Sequence, residues 1–412
     1  MNSPIATGRC HAAQRCLASV AATALLVLVI SGGCAKTPNW MPAETNVAGG
    51  RVELPMDLPA HGMPVVAITQ PGSGGRSYAV IDTGAGASMM TPEFATRNHL
   101  AQRHVPDLRL RDALKKTREV PAVARVETIA VGNASFHGFD AVVDELPVLK
   151  ALSDQLEVVL ARPVFEDVLL TIDYPKRKLT IEQGTLPEPN GRDVLPLRAD
   201  DRGHLLLPVD LGGEEAWLIV DTGHTGQGLL LSRYRLIAMR WASAPVEGDE
   251  VSSFLGTTRS RIGRMNGDMT FGQYTVSRPI VAIAYDDDRE FIGADILRHF
   301  VVTIDQKNKR IRLEAPAGRR AATQPIVVPA VRRFGFNFTD SVGSVKVVPD
   351  SAAASAGLKD GDRVLTIDGL PLSRMTYLQQ EAIEQRGAPV ILRVERGDQT
   401  LVLRVPMTVV VP

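Results

Sequence analysis

Past residue 34 the chain has no cysteine; Cys10, Cys16 and Cys34 are all it contains. The body that follows can therefore form neither a disulfide nor a thiolate metal site. The chain's eight histidines are scattered without HExxH or comparable ligand spacing, so no metal is expected. No glycine loop ends in Lys-Ser or Lys-Thr to cradle a phosphate, and no cofactor is implied. Lysine plus arginine (46) balances aspartate plus glutamate (46) with no basic block, which excludes the electrostatic footprint of a nucleic-acid binder. "PGSGG" around Ser73 lacks the strand-to-helix context of a nucleophile elbow and reads as a loop, and "DDD", Asp286 to Asp288, reads as a solvated turn. What is present is 44% apolar residues in 412, enough for a sizeable core shared among two or three domains.

The amino terminus stands apart from that body. Arg9 and Arg15 precede the apolar run "LASVAATALLVLVI", whose 14 residues are short for a bilayer span and suit a signal-peptide core. Small residues in "SGGC" then lead to Cys34. This segment resembles the lipobox of bacterial lipoproteins, with Ser31 where that family usually has leucine. The resemblance implies lipidation at Cys34 after removal of residues 1–33, and a cell-envelope, periplasm-facing location; Ala35 fits outer-membrane sorting. A plain signal peptide or an uncleaved anchor is the alternative. Removing residues 1–33 takes away two arginines and no acid, leaving 44 basic against 46 acidic residues. Residues 34–50 read as a Pro/Gly tether.

From residue 51 short apolar runs such as "MPVVAI", "YAVI" and "DVLLTIDY" alternate with Gly, Pro and Asn, which argues for strands. An internal repeat organises them. "YAVIDTGAGASMMT" returns as "WLIVDTGHTGQGLLLS", with Asp221 placed 139 residues (221 minus 82) after Asp82. "VGN" at Gly132 and "FGQ" at Gly272 are 140 apart (272 minus 132), and "VLLTIDYPKRKLTI" aligns without gaps on "FVVTIDQKNKRIRL". Three landmarks in one order mean two copies of one unit.

Two such loops related by a pseudo-two-fold axis bring Asp82 and Asp221 together. Carboxylates sharing a site tend to hold one proton between them, so one can accept a proton from water while the other donates to a carbonyl. Thr83 and Thr222 suit hydrogen bonds across the pair, and Gly84 and Gly223 permit close backbone approach. These motifs, with the distal "IGADILRHFVVTID", resemble the retropepsin and pepsin-like aspartic proteases over residues 55–315. The resemblance implies a mainly β, two-lobed fold of two retropepsin-like units, Asp82 and Asp221 as catalytic dyad, and peptides or proteins as substrates. By it Gly293 in the second copy, and Ala161 where the first copy departs from glycine, pack behind the catalytic loops. His224 stands where a small or hydroxyl residue is usual and reads as an exposed turn residue, with tuning of the dyad as the alternative. Because neither Ala85 nor His224 supplies the family's hydroxyl, an activity optimum at mildly acidic to near-neutral pH is expected rather than a strongly acidic one. Val251–Met265 and a counterpart within Arg111–Val126 are read as flaps or as ordinary surface hairpins.

The tail differs. "PDSAAASAGLKDGDRVLTIDG", a helix around "MTYLQQEAIEQ" and a hairpin turning at Arg396-Gly397-Asp398 form a small α+β domain. With "RFGFNF" it resembles a PDZ domain, which implies that amides near Phe334, Gly335 and Phe336 receive a peptide's terminal carboxylate. The expected organisation is leader 1–33, tether 34–50, lobe one 51–195, lobe two 196–316, linker 317–328 and PDZ domain 329–412. The expected function is aspartic endopeptidase. A catalytically impaired peptide-binding protein and a regulator that cleaves one partner remain open, Ala161 favouring the binder and both Asp-Thr-Gly loops opposing it.

Overall fold

A computed structural model of the protein describes residues 27–30, 38–59, 62–71, 75–112, 115–153, 155–225, 228–248, 251–253, 255–284, 289–316, 324–338, 343–375 and 377–412. Cys34, Ser73 and Asp286–Asp288 lie outside the described residues, as does the leader apart from Val27–Ile30, which runs antiparallel to Arg109–Asp112. With 49% strand and 11% helix the molecule is mainly β. Among the described residues no helix is long and apolar enough to cross a membrane.

Two sheets form the two lobes. In the first, Ser77–Asp82 lies between the antiparallel Val65–Ile68 and the parallel Leu156–Ala161, and Met89–Met90, Ala134–Val143 and Ala122–Val131 continue the sheet. In the second, Glu215–Val220 lies between the antiparallel Leu205–Leu211 and the parallel Phe291–Ile292, followed by Leu229–Ser232 and Ile280–Ala284. Leu156–Ala161 and Ile280–Ala284 are buried along their whole lengths, as expected of apolar strands covered on both faces. The "VGN" and "FGQ" landmarks are hairpin turns in corresponding places, with Gly132 at φ +61° and Gly272 at φ +55°.

A six-stranded sheet joins the lobes and crosses the expected boundary at residue 195. It runs Val194–Pro196, Arg310–Glu314, Val301–Asp305, Leu169–Asp173, Lys178–Glu182, Arg51–Pro55. Leu169–Asp173 and Val301–Asp305 are the repeated segments, paired antiparallel with Thr171 opposite Thr303 and their hydroxyls 2.9 Å apart. That register places the pseudo-two-fold axis between equivalent residues of the copies. One continuous apolar core, including Phe136, Phe165, Phe271 and Phe300, runs through both lobes and this sheet.

The carboxy-terminal domain has its own core around Phe336, Val364 and Leu392. Its helix Tyr377–Arg386 and hairpin Val390–Arg396 with Gln399–Val405 fall where the sequence places them. Ile326–Val327, within the expected linker, adds a parallel strand to the second lobe.

Candidate active site

Each Asp-Thr-Gly segment begins where an apolar strand runs out. Asp82 closes Ser77–Asp82 with Ala161 as its register partner, and Asp221 follows Glu215–Val220, whose Val220 pairs with Ile292. The parallel neighbour in each lobe is the distal segment, so strand pairing fixes both ends of each loop.

The two loops interlock. Thr83 Oγ1 donates to Val220 O at 2.7 Å and accepts from Thr222 N at 3.1 Å. Reciprocally, Thr222 Oγ1 donates to Ile81 O at 2.7 Å and accepts from Thr83 N at 3.1 Å. Buried hydroxyls with both donor and acceptor roles filled rigidify such a contact. A Cβ on Gly84 would lie 2.4 Å from Asp221 Cγ, and one on Gly223 would lie 2.6 Å from Asp82 Oδ2. Each glycine therefore closes on the carboxylate of the other lobe, a packing need rather than a backbone-dihedral one.

Both carboxyl groups are fully buried. Asp82 Oδ1 accepts from Gly84 N at 2.9 Å and Ala85 N at 2.8 Å; Asp221 Oδ1 accepts from Gly223 N at 2.8 Å and His224 N at 3.0 Å. The outer oxygens, both Oδ2, receive no donor from the protein among the described residues. Burial, and then the charge of Asp221, holds the Asp82 carboxyl well above the usual carboxylate range. Burial pushes Asp221 up to about 6, opposed by its two amide donors and by the charge of Arg289. Both carboxyl groups are thus raised, and the pair holds one proton between them across the mildly acidic range.

Behind the loops the two lobes solve one packing problem differently. Arg162 N donates to Ala85 O at 3.3 Å, and the equivalent Ala294 N donates to His224 O at 2.8 Å. Ala85 and Ala161 share a cluster in the first lobe. In the second, the His224 ring stacks on Phe291 with centroids 5.9 Å apart, and a Cβ on Gly293 would lie 2.5 Å from His224 Cδ2. His224 is therefore not an exposed turn residue; it is fully buried, because its ring fills the space that glycine leaves. Burial drives its pKa down to about 4 against the opposing pull of Asp295, so the imidazole is neutral above that pH.

Sequence reasoning missed Asp112, Ser253 and Arg289. Arg111–Val126 and Val251–Met265 do contain hairpins, Arg109–Asp112 with Thr117–Glu119 and Val251–Ser253 with Gly256–Thr258. No local pattern marks Asp112 as a fully buried carboxylate that joins them. In the carboxy-terminal domain Phe334 and Phe336 are buried in the core, Gly335 takes φ +87°, and Gly335 O accepts from Ser351 Oγ at 3.0 Å. Phe334 and Phe336 belong to a core cluster separate from those around the Asp-Thr-Gly pair. Among the described residues no group of three or more His, Cys, Asp or Glu side chains is placed to hold a metal ion.

Two family profiles match separate parts of the chain. The aspartyl protease family profile matches residues 73–174 and the PDZ domain profile matches residues 343–396. A Synechocystis sp. protein named as a serine protease, HhoA, is 29% identical over 117 residues, which is 28% of this chain and 25% of that protein's length. Among solved structures, basic 7S globulin from soybean (12% identity, TM-score 0.40) and conglutin gamma from lupine seeds (11%, 0.41) each cover 66% of this chain and 98% of their own. The HtrA3 PDZ domain bound to a phage-derived ligand is 25% identical over 16% of this chain and 66% of its own, with a TM-score of 0.15. The chain thus combines an aspartyl-protease-like body with a PDZ domain.

Proposed function

From an aspartyl-protease-like body joined to a PDZ domain, we propose that the chain is an aspartic endopeptidase in which Asp82 and Asp221 form the catalytic dyad. One observation carries the reading: two buried carboxyl groups, each with its inner oxygen held by two amides, turn their undonated Oδ2 atoms into the seam between the interlocked loops.

The chemistry follows from one proton shared by two buried carboxyl groups, which we assign to Asp82 in the resting state. A water held by the outer oxygens gives a proton to ionised Asp221 as its oxygen bonds to the scissile carbonyl carbon. Protonated Asp82 gives its proton to the carbonyl oxygen, so a neutral gem-diol forms without a buried oxyanion. In the collapse the amide nitrogen takes the proton from Asp221, the C–N bond breaks, and a diol hydroxyl returns a proton to Asp82. The products are a carboxylic acid and an amine, and the dyad regains its starting protonation. Thr83, Thr222, Gly84 and Gly223 hold the geometry, and Ala161 and Gly293 support the loops from behind.

The serine-type name of the Synechocystis relative is not carried over, because the match covers a quarter of that protein. The PDZ domain is proposed to take a substrate's carboxy-terminal strand, with the Phe334-Gly335-Phe336 amides on its carboxylate. Lipidation at Cys34, holding the body at the outer membrane on its periplasmic side, is proposed on the sequence alone. The deciding experiment is cleavage of a peptide library by the mature protein beside Asp82→Ala and Asp221→Ala. Loss of cleavage by about 10³-fold or more in both variants is expected; equal cleavage by all three forms would exclude the dyad.

A further inference from the structure

The described residues around the cleft include a carboxylate for which the proposed chemistry has no use. Asp112 ends the first strand of the lobe-one hairpin Arg109–Asp112/Thr117–Glu119 and is fully buried. Within its own turn Oδ1 accepts from Lys116 N at 2.8 Å. Its other oxygen reaches across to the second lobe, where Oδ2 accepts from Ser253 Oγ and from Leu255 N, the latter at 3.2 Å. The main-chain oxygen of Asp112 accepts from Arg289 Nη2 at 3.1 Å, also from the second lobe. One residue of one lobe thus collects three donors from the other.

Both ends of this contact rest on the Asp-Thr-Gly loops. Leu255 packs against the lobe-one cluster that contains Ala85, Val80 and Ala161. Val251, at the base of the same hairpin, packs with Phe291, on which the His224 ring stacks. The Arg289 guanidinium lies 5.7 Å from the Phe291 ring centroid, and its charge is felt at Asp221. A side chain at Gly256 would meet Lys116 Nζ at 2.5 Å, so the two hairpins are in direct contact.

We propose that Asp112 is an interlobe lock: it holds the two hairpins together beside the dyad, keeps the resting cleft shut, and must release before a peptide can enter. The buried state of both dyad carboxyl groups is what a shut cleft produces. Release strips two donors from a buried carboxylate, which is unfavourable until water or the N–H groups of an extended peptide replace them. The lock therefore opposes opening in the empty protein and weakens as an extended chain arrives. Its effect on turnover rests on the endopeptidase reading; its effect on the hairpins does not.

The test uses the full mature chain carrying Asp112→Ala and, separately, Ser253→Ala, which removes one donor and leaves the carboxylate in place. Backbone hydrogen exchange is measured in each, and again with Asp82→Asn added so that no turnover contributes. Both variants are expected to exchange at least tenfold faster at Thr117–Glu119 and Gly256–Thr258, with Leu169–Asp173 unchanged. Cleavage of extended peptides by the variants with an intact dyad is expected to rise at least threefold in kcat/KM. Faster hairpin exchange without cleavage in any form would retain the lock and remove the endopeptidase reading. Cleavage by the parent chain with unchanged hairpin exchange in both variants would overturn the lock, as would an equal rise at Leu169–Asp173.

Discussion

Ala161 and Gly293 differ by one methyl group, and the residue across the contact decides which is allowed. Ala85 leaves room in the first lobe; His224 does not in the second, where a Cβ at 293 would stand 2.5 Å from the ring and 2.6 Å from the His224 carbonyl oxygen. The missing glycine of the first copy is thus half of a compensated pair, which removes the sequence argument for a degenerate lobe. Gly293→Ala is expected to destabilise by about 2–4 kcal/mol, and His224→Ala to restore only part, since the carbonyl remains. Thermal unfolding of the single and double variants checks this, and a neutral Gly293→Ala would refute it.

Asp221 and His224 set opposing pH dependences. The folded state holds the Asp221 proton more tightly than the unfolded chain does, so stability is present below about pH 4 and is lost as pH rises through about 6. From 3.8 to about 6 this is worth about 3 kcal/mol, at roughly 1.4 per pKa unit. Asp221→Asn is therefore expected to lose cleavage yet unfold at higher temperature at pH 7, with little difference at pH 4. His224 acts in the other direction. Its pKa of about 4 lies below the ordinary 6.5, so its stability contribution is present above 6.5 and is lost as pH falls through about 4. His224→Thr should flatten the acid side of the stability profile. With the pair losing its first proton near 6, kcat/KM is expected to rise through about pH 6. A profile peaking below about pH 3 would contradict the proton assignment.

Among the elements, legibility tracked whether the chemistry was local. The repeat could be read because each copy must rebuild the same strand, loop and distal segment, and Thr171 and Thr303 meet across the axis as those matching segments imply. The Asp-Thr-Gly loops could be read because small residues are required where each carboxylate faces the opposite glycine. His224 was misread because histidine after a turn carries no mark of its burial, which depends on Phe291 and Gly293, both about 70 residues away in the chain. Asp112 was missed for the same reason, since its partners Ser253 and Leu255 lie in the other lobe. The six-stranded sheet also escaped a reading that split the chain at 195, because Arg51–Pro55 and Val194–Pro196 return to opposite edges of it. At this scale Thr171→Val, which leaves the Thr303 hydroxyl buried without its partner, is expected to cost about 1–3 kcal/mol. Urea unfolding measures it, and Thr171→Val/Thr303→Val should recover most of the loss.

For the whole molecule, the relation between the PDZ domain and the cleft depends on Arg264. This residue ends Ser260–Arg264, the strand that follows the locked hairpin, and is almost fully buried. Its guanidinium donates to the carbonyl oxygens of Arg278 at 2.7 Å, Val328 at 3.1 Å, Pro329 at 3.3 Å and Pro412. Beside it Val411 packs on Ile262 and Ile280, while Thr408–Val411 pairs with Val331–Arg333, the strand leading into Phe334-Gly335-Phe336. Arg333 Nη1 adds a bond to Glu247 O at 3.2 Å, one strand from the hairpin. The proposed peptide-carboxylate loop and the proposed lock are therefore attached to neighbouring strands of one lobe, so the docking holds that loop at a fixed place relative to the proposed cleft. Arg264→Ala strands buried carbonyls without donors and is expected to loosen this docking by about 2–4 kcal/mol. A lysine there offers one compact cation in place of a planar fork and should rescue only in part. Hydrogen exchange should quicken at Thr408–Val411 and Val331–Arg333 and stay unchanged at Val390–Arg396, whose protection belongs to the PDZ core. Unchanged exchange at Thr408–Val411 would show that apolar packing holds the domain in place without Arg264.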